Sequence, residues 1–206
     1  MNETLVRVGV NTLYVLALIN PISKVSVLAA MAVEPGSSGE LKAVTGRSSL
    51  VAGAILFGAM VFGDLLLRSV FQVQLHSLRL AGGIVLFWVG FHALRTGVFF
   101  EHDTQSRFRD MAIVPLACPM IAGPAAIAAC IALRAREGLI VPSMAVALAL
   151  MVNHAIMRLS TPISAILGRV NILGALIRIT GLIVMTIGTQ MALDGIAAWQ
   201  ALAAAN

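Results

Sequence analysis

Six stretches of this 206-residue chain are apolar almost without interruption, and short polar or turn-forming segments separate them. They run over approximately residues 4–33, 49–67, 78–98, 111–133, 139–157 and 172–197. A helix needs about 20 mainly apolar residues to cross a hydrocarbon core, and each stretch is about that long or longer. The punctuation falls between them, in EPGSSGE (34–40), EHDTQSRFRD (101–110) and RAREG (134–138). Strands of a transmembrane barrel alternate polar and apolar positions, whereas these runs are continuous. The pattern therefore predicts an all-α integral membrane protein with six transmembrane helices in a single domain, 1–206. No long polar region remains for a soluble domain.

Composition sharpens the picture. The chain is 59% hydrophobic and only 11% charged, with a mean hydropathy of +0.96. Soluble domains average about 25% charged residues and 45–50% apolar ones. The net charge of +5 does not point to nucleic acid, because the basic residues are spread among the membrane loops and form no single patch. One set of loops collects Lys42, Arg47, Arg95, Arg107, Arg109, Arg158 and Arg169; the other collects Arg7, Arg68, Arg79, Arg134 and Arg136. The excess of positive charge marks the cytoplasmic side, which places both termini outside. The opening MNETLVRVGV has no basic leader region and no clear cleavage site, so no removable signal peptide is expected.

An internal repeat is visible at a shift of 98 or 99 residues. LINPISKVSVLAA (18–30) superposes on LACPMIAGPAAIA (116–128), bringing Pro21 over Pro119 and Asn20 over Cys118. LRLAGGIV (78–85) superposes on IRITGLIV (177–184), matching Arg79 with Arg178 and Gly82 with Gly181. The halves are about 1–100 and 108–206. With three spans in each, they must insert in opposite directions. Inverted repeats of this kind place solute sites near the midplane, where matched broken helices meet.

The breaks are predicted where prolines interrupt the first and fourth spans. An interior proline removes a helix hydrogen bond and clashes with the preceding turn, costing about 3 kcal/mol. The first span carries Asn20, Pro21, Ser23 and Ser26; the fourth carries Pro115, Cys118, Pro119, Gly123 and Pro124. N–H groups freed at a half-helix start would hold a carboxylate, and freed carbonyls would hold an ammonium or a cation. Lys24 has two readings: it snorkels to the inner interface, or it stands beside the break as a fixed positive charge for a substrate carboxylate. Arg79 and Arg178 are expected either to anchor helix ends at the interface or to meet the carbonyl ends of the breaks. Gln190 is expected either to hydrogen-bond between helices or to face the solute. Asp64 and Asp194 fall near outer helix ends, where a carboxylate is cheap. The expected solute-binding set is Asn20, Pro21, Ser23, Lys24, Cys118, Pro119, Gly123, Pro124 and Gln190, with no catalytic residue and no metal site. His76, His92, His102 and His154 lack ligand spacing, and Cys118 and Cys130 make no CxxC pair.

The segments NPISKV (20–25), LRLAGGIVLFWVGFHAL (78–94), VPLACPMIAGPAAIA (114–128) and RITGLIVMTIGTQMALDGI (178–196) carry a resemblance over nearly the full length to the MarC family, six-span bacterial membrane proteins within the LysE-like transporter group. In this chain Ser26 stands where many relatives have a second proline, Lys24 where they often have a small polar residue, and Asn20 where some have Asp. The resemblance implies a multi-pass protein of the bacterial inner membrane and, from some relatives, transport of small neutral amino acids such as glycine and alanine. The leading expectation is a secondary transporter of a small polar solute, working by alternating access around the Pro21/Pro119 region; a passive channel is the alternative. No P-loop, HExxH or GxSxG is present, so neither ATP drive by this chain nor enzymatic chemistry is expected. A thiol relay would need a cysteine in each half, and Cys118 aligns with Asn20 instead. The expected partners are the lipid bilayer and a small solute, without a cofactor. The coupling ion, Na+ or H+, and the oligomeric state stay open.

Overall fold

In lipid, every backbone N–H and C=O must find a partner within the protein, and helices meet that demand locally. In a computed structural model, which describes residues 2–31, 37–65, 69, 72–97, 117, 121–169 and 173–204, helices are the only regular elements of any length. We number them α1 (Asn2–Ile19), α2 (Pro21–Met31), α3 (Ser37–Leu65), α4 (Leu75–Thr96), α5 (Pro124–Glu137), α6 (Ile140–Arg158), α7 (Ser160–Arg169) and α8 (Leu173–Ala204).

Four of them contain segments long and apolar enough to cross a membrane: Leu41–Gly63, Leu75–Thr96, Ile140–Arg158 and Gly174–Ala204. These answer to the second, third, fifth and sixth stretches of the sequence pattern. The first stretch, 4–33, is divided between α1 and α2 at Asn20. Of the fourth, Pro115, Cys118 and Pro119 lie outside the described residues, and its second part is α5.

Helix ends depart from the apolar boundaries in one consistent way. Residues 37–40 belong to α3, although EPGSSGE reads as a connection, and α3 is already helical well before residue 49. Hydropathy marks where a helix meets lipid, not where its hydrogen bonding begins. The hydroxyls there are satisfied on the helix's own carbonyls: Thr45 donates to the Lys42 carbonyl at 3.1 Å, and Ser48 and Ser49 donate to the Thr45 carbonyl at 3.1 and 2.8 Å. At the other end of the bundle RAREG is mostly helix as well. α5 runs through Arg136 and Glu137 and stops only at Gly138, whose φ of 77° no ordinary side chain adopts cheaply.

Packing is dominated by α4 against α8. The two run antiparallel in glycine contact. A Cβ on Gly83 would lie 2.6 Å from the Gly188 carbonyl oxygen, and one on Gly90 would lie 2.5 Å from that of Gly181. Glycines in membrane helices let backbones approach until van der Waals attraction holds them, since lipid offers no hydrophobic drive to association. Elsewhere the contacts are reciprocal between the halves: α1 packs on α6, and α3 packs on α5. Arg134 of α5 reinforces the second of these by donating to the carbonyls of Met60, at 2.6 Å, and Val61 on α3. α2 lies against α7 and α6.

The distribution of polarity is that of a membrane protein. Leu5, Leu13, Leu50, Phe62, Trp88, Ile140, Ile183 and Trp199 face outward, while Asn11, Thr12, Asn20, Ser23, Lys24, Thr45, Ser48, Asn153 and Ser160 are buried.

Candidate functional site

The break in the first apolar stretch is built by two residues. Pro21 has no N–H, so the Ala17 carbonyl loses the donor that would continue the helix. Asn20 takes up a left-handed conformation, φ 52°, which asparagine tolerates better than most side chains. Its own N–H still reaches Leu16 O at 2.8 Å, closing α1. Pro21 then begins α2, the position where its fixed φ suits a helix start. Ser23 returns to the break twice, with its N–H at 3.2 Å and its hydroxyl at 2.7 Å from Asn20 O.

Lys24 is 0% exposed. Its ammonium donates to the carbonyls of Ile19 and, at 3.2 Å, Asn20. The snorkelling reading of this lysine is thereby overturned. A side chain four residues into α2 points back toward the helix start, so it meets the carbonyl end of α1 instead of the interface. The Asn20 side-chain amide nitrogen is buried with no partner among the described residues. Asn20, Pro21, Ser23 and Lys24 thus lie together at the break.

In the fourth apolar stretch, Ala122 N–H reaches back to Ala117 O at 2.8 Å, Gly123 is extended (φ −75°, ψ 165°), and Pro124 opens α5. A half-helix therefore starts at Gly123–Pro124. Cys118 and Pro119 lie outside the described residues.

A cavity of about 420 Å³ lies at another level of the bundle. It is lined by Asn11 and Tyr14 of α1, Arg79 of α4, Arg136 and Glu137 of α5, and Gln190 and Asp194 of α8, with apolar residues between them. The first parts of α1 and α4 and the last parts of α5 and α8 meet here, at the end of the bundle that carries the start of α1. Five residues of helix separate Tyr14 from Ile19, about 7.5 Å at 1.5 Å each, and the residues of the first break do not line the cavity. Among the described residues of the expected set, only Gln190 does.

The charges in this cavity are kept apart. Glu137 accepts from the Asn11 amide at 3.0 Å, and Asp194 accepts from the Gln190 amide at 2.8 Å. Among the described residues no hydrogen bond or ion pair joins Arg79 or Arg136 to either carboxylate. Two cations and two anions thus line one space of a size typical of small-molecule sites, each carboxylate held by a neutral amide.

Sequence reasoning missed Asn11, Tyr14, Arg136 and Glu137. Asn11 and Tyr14 offered a signal as polar side chains within the first apolar run. Arg136 and Glu137 were hidden in a segment that reads as a loop. Arg178, matched to Arg79 in the repeat, has its guanidinium near Gly97 at the end of α4 and does not line the cavity. Ser49 and His154 share a hydrogen bond at 2.9 Å between α3 and α6, and no cluster of metal-ligating side chains occurs among the described residues.

Residues 6–200 match the family described as MarC family integral membrane protein. A UPF0056 membrane protein of Pyrococcus horikoshii is 34% identical over 185 residues, covering 90% of this chain and 91% of the relative. Another, from Aquifex aeolicus, is 30% identical over 194 residues, 89% of each chain. A third, from Archaeoglobus fulgidus, is 34% identical over 165 residues, 75% of this chain and 76% of the relative. No solved structure matches the chain. With buried polar groups, outward-facing leucines and aromatics, and this family match across nearly its whole length, the chain belongs to the MarC family of multi-pass integral membrane proteins.

Proposed function

We propose that this protein is a secondary transporter of a small zwitterionic solute, a neutral amino acid of glycine or alanine size. The observation that carries this reading is the cavity with Arg79, Arg136, Glu137 and Asp194 on its walls and no ion pair between them. A zwitterion has one carboxylate and one ammonium. It would give an arginine its anion and a carboxylate its cation, and hydrogen bonds between charged groups are stronger than those between neutral ones.

The architecture supports movement as well as binding. Six spans in two inverted halves fit the reciprocal packing of α1 on α6 and α3 on α5, and the antiparallel pairing of α4 with α8 about its glycines. Helices broken at Asn20–Pro21 and at Gly123–Pro124 give each half a hinge of the kind that alternating access uses. In a bacterial inner membrane with both termini outside, the cavity would lie at the outer end of the bundle, the side from which it would load solute. Drive would come from a Na+ or H+ gradient or from exchange.

Purified protein in liposomes preloaded with unlabelled glycine or alanine should take up the labelled amino acid transiently against its gradient. Such counterflow is the mark of a carrier. Flux that does not saturate and shows no counterflow would make the protein a channel, and no flux of any amino acid would remove this substrate class.

A further inference from the structure

Lys24 presents an unusual balance of charge. It is fully buried in a segment that interrupts a membrane span, yet its acceptors are neutral carbonyls. The ion pair found among the described residues, Arg7 with Glu3, is elsewhere and exposed. A buried ammonium without a carboxylate is costly. The group that offsets it is the end of α1, where aligned peptide dipoles concentrate about half a negative charge on the last carbonyl oxygens. Pro21 and the left-handed turn at Asn20 create that end, so the same break that frees the carbonyls receives the ammonium.

We propose that Lys24 is a tethered cation: its ammonium occupies a seat on the Ile19 and Asn20 carbonyls that would otherwise take a free monovalent metal ion. Unwound carbonyls at the end of a half-helix are the donors with which membrane helices coordinate Na+, and hard cations favour oxygen ligands. Here two carbonyl oxygens already converge on one point. The Ser23 hydroxyl lies against the Asn20 carbonyl and adds an oxygen beside the seat. Water would complete the shell of an ion. With Lys24 in place the seat is filled, and the break is held together without any ion from solution. This assignment concerns the break alone and does not rest on the transport reading.

The test compares melting temperatures of detergent-purified protein in sodium chloride and in choline chloride at equal ionic strength. A ligand that binds the folded state raises its melting temperature in a saturable way. Wild type should melt at the same temperature in both salts. Lys24→Ala, which vacates the seat, should melt lower in choline and recover progressively with Na+. Lys24→Met, which fills the space but offers no charge, should melt low and ignore Na+. The proposal is overturned if wild type is itself stabilised by Na+, or if Lys24→Ala is as indifferent to Na+ as Lys24→Met. It is equally overturned if Lys24→Ala fails to fold in sodium chloride under conditions where Lys24→Met folds.

Discussion

Gly90 of α4 faces Gly181 of α8 so closely that a methyl group on the first would lie 2.5 Å from the carbonyl oxygen of the second. The neighbour is backbone, which has no rotamer to escape into. Gly90→Ala should therefore force the helices apart, and Gly90→Val more so. Overpacking of this kind typically costs about 1–3 kcal/mol. Gly58 on α3 is the control, because a Cβ there meets nothing within 4 Å. Gly58→Ala should be neutral or stabilising by up to about 1 kcal/mol, through helix propensity alone. Melting temperatures in one detergent would separate the pair; equal losses would show that α4 and α8 are not in glycine contact.

At the break, the left-handed backbone of Asn20 distinguishes glycine from alanine. Asn20→Gly should retain stability, since glycine adopts φ 52° without strain. Asn20→Ala should lose about 1–2 kcal/mol, the cost of a Cβ in that region. Alanine melting no lower than glycine would mean that α1 continues through residue 20.

In the cavity, Arg79→Gln and Asp194→Asn should each weaken binding of glycine or alanine by about tenfold or more, the worth of a charge-assisted hydrogen bond. Neither change breaks an ion pair among the described residues, so both variants should fold. Ligand-dependent thermal shifts would measure the loss. Unaltered shifts in both variants would show that the solute binds elsewhere.

Cys130 is wholly buried on α5. In a Cys118→Ala background, a water-soluble maleimide should leave folded protein unmodified and label it fully after denaturation in SDS, because thiol reactivity requires access as well as thiolate. Rapid labelling of the folded protein would place Cys130 on an aqueous path through the bundle.

Membrane character, the positions of the apolar stretches and the interruption at Pro21 are all fixed by local composition. Hydropathy is summed along the chain, and proline acts on its own helix turn, so neither needs a distant partner. The family resemblance is equally a property of the linear sequence. Tertiary structure decided which faces those helices turn to one another. Gly83 and Gly90 stand seven apart, as do Gly181, Gly188 and Gly195, but glycine is common in membrane helices, and only the pairing of α4 with α8 makes the spacing a contact. Lys24 could as well have reached an interface; the turn at Asn20 sends it to the end of α1. Arg136 and Glu137 read as loop, and become cavity wall because α5 extends beyond its apolar part to meet α1 and α8. Burial and charge pairing depend on residues brought from far along the chain, and those relations exist only once the helices have packed.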